Sequence, residues 1–288
     1  QISGQLTSSF SSIVSLFPGA VTVATAAGRI MEITDLPLEE RKDSVKADKM
    51  EKSANECGIT IACNGLEYTY PDGDKPVVSN ASFKAVPGET IAFIGPSGEG
   101  KTTLLRLILG LVEPQSGEIT VETNDGQKIS VSESTRRFCS YVPQGNAIFS
   151  GTVADNLRIV RPEATDEELI EALKTADAWS FIQELPLGLY TEISEKGVNF
   201  SEGQVQRISI ARAVLRDAPI IVMDEATSAL DTATEEIVLA NMMKAYPNRT
   251  RIITTHRPSM LQYCTRVYRI NENGILECVD NVSDIKNN

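Results

Sequence analysis

Eight consecutive residues, Gly95-Pro96-Ser97-Gly98-Glu99-Gly100-Lys101-Thr102, fit the pattern G-x-x-x-x-G-K-[ST]. Glycines at this spacing let the backbone curl until successive N–H groups point inward, making a cradle for phosphate oxygens. Lys101 adds a point charge for the β- and γ-oxygens of a nucleotide, and Thr102 a hydroxyl for Mg²⁺. The cradle is expected to run from Gly95 to Lys101, Thr102 and Thr103. A second pair, Asp224-Glu225, follows an apolar run. One such carboxylate can hold Mg²⁺ through water while the next orients or deprotonates an attacking water. Alone, the pair also suits an ordinary helix start, and the glycine pattern arises by chance in about one chain in a hundred of this length. Context has to decide.

That context is a regular alternation. The short apolar or β-branched runs TIAFIG (90–95), FCSYVP (138–143), PIIVMD (219–224) and RIITT (251–255) are interleaved with helix-like stretches such as KTTLLRLILGLV and EGQVQRISIARAVLRD. Continuously apolar strands between helices predict a parallel sheet covered on both faces. The glycine run then lies directly after a strand and before a helix, and Asp224 ends a strand where open parallel sheets place their ligands.

Composition narrows the class. Of 288 residues, 39 are acidic and 27 basic, a net charge of −12 that excludes a general polyanion binder but leaves room for a local phosphate site. The five cysteines (Cys57, Cys63, Cys139, Cys264, Cys278) are odd in number and contain no C-x-x-C pair, so neither a disulfide framework nor a thiolate zinc site is expected, and a reducing compartment fits. One histidine, His256, is available for chemistry. No run reaches the ~18 apolar residues of a membrane helix. Residues 1–34 are poor in charge and read as a helix interrupted or restarted at Pro18, whereas 35–57 are rich in charges of both signs and read as a solvated linker. A chain starting at Gln1 is expected to be a piece of a longer one.

The segment Asn199-Phe200-Ser201-Glu202-Gly203-Gln204-Val205-Gln206-Arg207 resembles the LSGGQ signature of ATP-binding cassette (ABC) proteins. Further elements resemble the family's in order: Tyr70 the aromatic that stacks on adenine, Gln144 the Q-loop, Ser228-Ala229-Leu230-Asp231 the D-loop, and His256 the switch histidine. The resemblance covers roughly residues 58–282. Thr191-Glu192-Ile193-Ser194-Glu195-Lys196-Gly197 is similar to an exporter stretch that contacts membrane-domain loops, and GRIMEITDLP (28–37) to the seam between the last membrane helix and the cassette. Phe200 replaces the usual Leu and Glu202 the first Gly of the signature. A carboxylate there would oppose an incoming γ-phosphate unless the side chain points away.

The resemblance implies an α/β phosphate-loop NTPase fold: a mixed, mainly parallel core sheet, an antiparallel β subdomain, and a helical subdomain over about 145–217 that carries the signature. Residues 1–34 would be the cytoplasmic end of the last membrane helix, 35–57 the linker and 58–288 the cassette. It implies ATP and Mg²⁺ as cofactors, with Thr102, Gln144 and Asp224 as metal-side residues and Glu225, His256, Gln144 and Lys101 as catalytic ones. Ser201, Gly203, Gln204 and Asp231 would face the nucleotide of a second cassette, docked head-to-tail. Homodimer and heterodimer stay open. The implied activity is ATP hydrolysis driving export through transmembrane domains, at the cytoplasmic face of the inner membrane, with no nucleic-acid partner; the chain would be held there only by helices it does not contain. Two alternatives are a soluble import-type cassette subunit and an ABC-type DNA-maintenance head. The exporter-like stretches oppose the first, and the short Lys101–Ser201 spacing, absent heptads and acidic charge oppose the second. The transported substrate is not encoded in these residues.

Overall fold

Strands that are apolar on both faces need cover on both faces, and the computed structural model supplies it. It describes residues 2–36, 38–39, 42–96, 98–145, 147–194 and 199–279. The chain forms two units, 1–40 and 41–288. The first holds helix α1 (Ile2–Thr34), which continues through Pro18 instead of stopping there. A single proline removes one backbone donor, a loss that a long helix accommodates. Among the described residues no helix is long and apolar enough to cross a membrane.

The second unit opens with α2 (Ser44–Cys57) in place of the expected solvated linker. Ala47, Met50 and Ala54, spaced at helical intervals, are fully buried, and the charges occupy the outer face. Arg137 pairs there with Asp48 and, at 3.7 Å, with Glu51. Strands β1 (Ile59–Tyr68) and β2 (Val78–Ala85) follow, then β3 (Thr90–Ile94), helix α3 (Lys101–Ile108), β4 (Ser116–Thr123), β5 (Lys128–Ser130) and β6 (Cys139–Val142). Next come β7 (Gly151–Thr152), α4 (Val153–Arg158), α5 (Asp166–Thr175), α6 (Trp179–Ile182), β8 (Glu192–Ile193) and α7 (Glu202–Leu215). The chain continues through β9 (Ile220–Asp224), α8 (Thr232–Ala245), β10 (Thr250–Thr254), α9 (Pro258–Leu261), β11 (Arg266–Ile270) and β12 (Leu276–Val279).

The core sheet has the order β12-β11-β3-β10-β9-β6 and is parallel except where β12 joins β11. A second, antiparallel sheet runs β2-β1-β4-β5. Alternation along the core strands sends Ala92, Ile94, Ile221 and Met223 into a core shared with the helices α4, α5, α7 and α8. Ile91, Phe93, Ile220 and Val222 enter the other core, with α3 and the antiparallel sheet. Register brings Thr254 opposite both Asp224 and Phe93, and Val142 opposite Met223. The carboxyl ends of β3, β10, β9 and β6 therefore converge, and every loop that carries a candidate catalytic residue leaves from that edge.

Helix starts in the segments between the strands are set by side-chain caps. Ser201 and Gln204 cap each other's backbone at α7, Thr165 and Glu168 at α5, and Thr152 and Asp155 at α4. Asp231 caps α8 through the Thr234 N–H at 3.0 Å. Ser97 and residues 195–197 of the exporter-like stretch lie outside the described residues, as does Pro37 of the seam.

Candidate active site

The loop from β3 to α3 depends on left-handed backbone. Gly98 and Gly100 have φ values of 88° and 97°, and Gly95 one of 146°. A Cβ on Gly100 would stand 2.6 Å from the Val77 carbonyl oxygen, and one on Gly95 2.5 Å from that of Ile270. Only glycine fits these two positions. Lys101 opens α3, and its ammonium donates to the carbonyls of Gly95 (2.6 Å) and Pro96 (2.8 Å). Burial lowers the Lys101 pKa, and the carboxylates of Glu225, Glu99 and Asp224 work in the opposite direction. Thr102 follows at the first turn, and the Thr103 hydroxyl meets the Tyr70 hydroxyl at 3.0 Å. Arg106 donates to the same Tyr70 oxygen at 3.1 Å, while Tyr68 packs edge-on to the Tyr70 ring at 5.1 Å. Tyr70 is thereby tied to the phosphate-loop helix from a distant part of the sequence.

The carboxylate pair sits across the edge from this loop. Asp224 is 2% exposed. It accepts from the Thr254 hydroxyl at 2.8 Å and from the Tyr141 hydroxyl at 3.4 Å. Burial and the adjacent Asp224 charge push the Tyr141 phenol up to about 12, so Tyr141 stays a donor. Glu225 has a φ of 47°, a left-handed conformation uncommon for a side-chain-bearing residue. Its N–H donates to Thr254 Oγ1 at 2.8 Å. One Glu225 carboxylate oxygen meets His256 Nε2 at 2.8 Å, and the other accepts from Gln144 Nε2 at 2.8 Å. Three loops, after β6, β9 and β10, thus meet on one carboxylate.

The signature residues stand elsewhere. Ser201, Gly203 and Gln204 open α7; Ser201 and Gln204 hydrogen-bond to each other across its first turn, and Gln206 accepts from the Ala229 N–H of the 228–230 turn. Gly203 allows close approach there, since its Cβ would come 3.0 Å from the Ala229 carbonyl oxygen. Glu202 is exposed at the first position of α7, and Asp231 is exposed at the start of α8. The Thr234 N–H and hydroxyl hold the Asp231 carboxyl below the usual carboxylate range.

The donor set suits a nucleotide with Mg²⁺. Mg²⁺ takes oxygen ligands, keeps several waters and binds through one or two carboxylates plus substrate phosphates. Thr102, Gln144 and Asp224 bring a hydroxyl, an amide and a carboxylate to the edge where the glycine loop, the loop after β6 and the end of β9 lie, and the close packing of Gly95 and Gly100 on the Ile270 and Val77 carbonyls holds that loop in place. Two residues escaped the sequence reading, Thr254 and Tyr141. Both flank recognised motifs, as TTH and YVPQ, and a hydroxyl one strand over from Asp224 was the available signal.

A family model described as ABC transporter matches residues 78–228, from β2 through the phosphate loop, Gln144, the signature and the carboxylate pair to Ser228. The chain belongs to the ABC transporter family. Among the relatives of this ABC chain, the ATP-dependent lipid A-core flippase of Methylobacillus flagellatus is 40% identical over 219 residues, 76% of this chain and 37% of that protein. A putative multidrug export ATP-binding/permease protein of Staphylococcus aureus is also 40% identical over 219 residues, 75% of this chain and 37% of its own length. A solved structure of a bacterial Atm1-family ABC exporter with ATP bound superposes with a TM-score of 0.72 at 33% identity, over 80% of this chain and 40% of that one. The ABC chain therefore spans a little over a third of the length of the curated relatives it matches.

Proposed function

We propose that this chain is the ATP-hydrolysing cassette of an ABC exporter, which closes head-to-tail on a second cassette around two nucleotides and drives attached transmembrane domains from the cytoplasmic face of the inner membrane. The observation that carries this reading is the convergence of Gln144 and His256 on the two oxygens of Glu225, beside Asp224 and Lys101. The exporter assignment draws on the relatives, two of them named for flipping or export and one solved with ATP bound.

In this mechanism Lys101 leaves the loop carbonyls to hold β- and γ-phosphate oxygens, and the N–H groups of the glycine loop hold the rest. Tyr70 offers its ring to adenine. Glu225 orients a water and takes its proton as the water oxygen bonds to the γ-phosphorus and the bond to the ADP oxygen breaks. Gln144 and His256 keep the Glu225 carboxylate aimed, and His256 reaches the departing phosphoryl oxygens. Bound Mg²⁺, held by Thr102, Gln144 and Asp224, would neutralise developing phosphate charge. From a second copy, Ser201 and the N-terminus of α7 would approach the γ-phosphate, with Asp231 crossing the interface.

Glu225→Gln tests the chemistry with an isostere. It keeps the shape and an acceptor oxygen but cannot take a proton. A general base contributes roughly 10²- to 10⁴-fold, so phosphate release should fall by at least about a hundredfold while ATP affinity stays within about threefold. Undiminished turnover would remove Glu225 from the role.

A further inference from the structure

Arg257 directly follows His256, and its guanidinium is committed to the D-loop. Nη1 donates to the Leu230 carbonyl at 2.6 Å and to the Glu235 carboxylate at 3.1 Å, and Nη2 donates to the Ser228 carbonyl at 2.7 Å. Glu235 lies in the first turn of α8 and is 1% exposed. Its second oxygen accepts from the Thr227 hydroxyl. From the opposite side comes Gln206 of the signature helix, itself buried, whose amide donates to Ser228 Oγ at 3.0 Å and accepts from the Ala229 N–H at 3.0 Å. The turn also closes on the backbone of Glu225, because the Ser228 N–H donates to the Glu225 main-chain carbonyl at 3.1 Å.

Residues 227–230 are thus gripped by three elements: the loop after β10, the first turn of α8, and α7. A buried carboxylate is held at such a place only when it is paired and hydrogen-bonded. The planar guanidinium reaches three acceptors at once, which a single ammonium nitrogen at the end of a flexible stem does not reproduce. We infer that Arg257 is a positioning residue that, through buried Glu235, locks the D-loop turn to the His256 loop, so that Asp231, Glu225 and His256 keep one fixed spacing. Its consequence for turnover rests on the ATPase reading above. The lock itself does not.

The test uses the full 288-residue chain as wild type, Arg257→Lys and Glu235→Gln. Hydrogen–deuterium exchange reads the amides of Ser228, Ala229 and Leu230, each of which has a hydrogen-bond acceptor here. For Arg257→Lys we expect their exchange to quicken at least tenfold while the second half of α8 is unchanged. ATP turnover should fall at least tenfold in kcat, with nucleotide affinity within twofold of wild type. Glu235→Gln should show the same pattern more weakly, and it decides the question if Arg257→Lys does not fold. Unchanged exchange at 228–230 in a folded variant overturns the inference, and so does a loss of affinity equal to the loss of kcat. A wild-type chain that hydrolyses no ATP would overturn the ATPase reading instead, and the exchange result would still decide the lock.

Discussion

Thr254→Val replaces a hydroxyl with a methyl of nearly the same shape at a site that is buried and central. The hydroxyl donates to Asp224 at 2.8 Å and accepts from the Glu225 N–H at 2.8 Å, so one atom serves both carboxylate residues. Removing it strips a charge-assisted bond from a carboxylate that is 2% exposed, worth about 2–3 kcal/mol including the stranded partner. It also strands the Glu225 amide, at about 1–2 kcal/mol. The added methyl returns less than about 1 kcal/mol, leaving a net loss of about 2–5 kcal/mol. Thr254→Ser keeps both bonds and gives up only a buried methyl, about 1 kcal/mol. Urea unfolding followed through Trp179, the single tryptophan, measures the difference as a shift in midpoint at constant slope. Because the amide bond holds Glu225 in its left-handed conformation, Thr254→Val should also reduce turnover at least about tenfold, the range of a misaimed base. A loss below about 1 kcal/mol, or a serine variant as weak as the valine one, would refute the reasoning.

Other expectations follow from the same geometry. Gly100→Ala combines a positive φ with a Cβ 2.6 Å from the Val77 carbonyl oxygen; nucleotide affinity by titration calorimetry should drop at least about tenfold, about 1.4 kcal/mol, and unchanged affinity would contradict the strained-loop account. Burial pushes the thiols of Cys63, Cys139 and Cys264 up to about 12, whereas Cys57 and Cys278 are exposed. A colorimetric thiol reagent at pH 8 should therefore label the two exposed cysteines quickly, the half-buried Cys264 more slowly, and the buried Cys63 and Cys139 only in denaturant; fast labelling of all five would show a looser fold. Glu202 is exposed at the start of α7, so Glu202→Gly should change ATP turnover by less than about tenfold, a shift of under about 1.4 kcal/mol. A hundredfold rise would mark it as an inhibitory charge.

The glycine loop between β3 and α3 could be read from the sequence because its backbone geometry dictates the residue type: Gly95 and Gly100 occupy conformations and close approaches that a side chain forbids. Asp224 and Glu225 were visible for a related reason, since they break the apolar run of β9 at the sheet edge where the loops carrying Gln144 and His256 also emerge. Thr254 and Arg257 were harder to see because their partners lie about 30 residues away in sequence, brought together for Thr254 by the β10–β9 register and for Arg257 by the packing of the loops beyond those strands. Helix α2 was misread for a different reason. Its charges dominate the composition, while the signal that fixes it is a face of only three residues, Ala47, Met50 and Ala54. Pro18 misled in the opposite direction, since its local preference is weaker than the continuity of the helix around it.

The central claim is that the site becomes whole only when a second cassette brings its signature helix to the nucleotide. The direct measurement is light scattering on the size-excluded Glu225→Gln chain, with and without Mg-ATP. The account predicts a monomer without nucleotide and a dimer with it, and Ser201→Arg in the same background should abolish the dimer. A chain that binds ATP with full affinity yet stays monomeric at every concentration tested would contradict the self-paired sandwich.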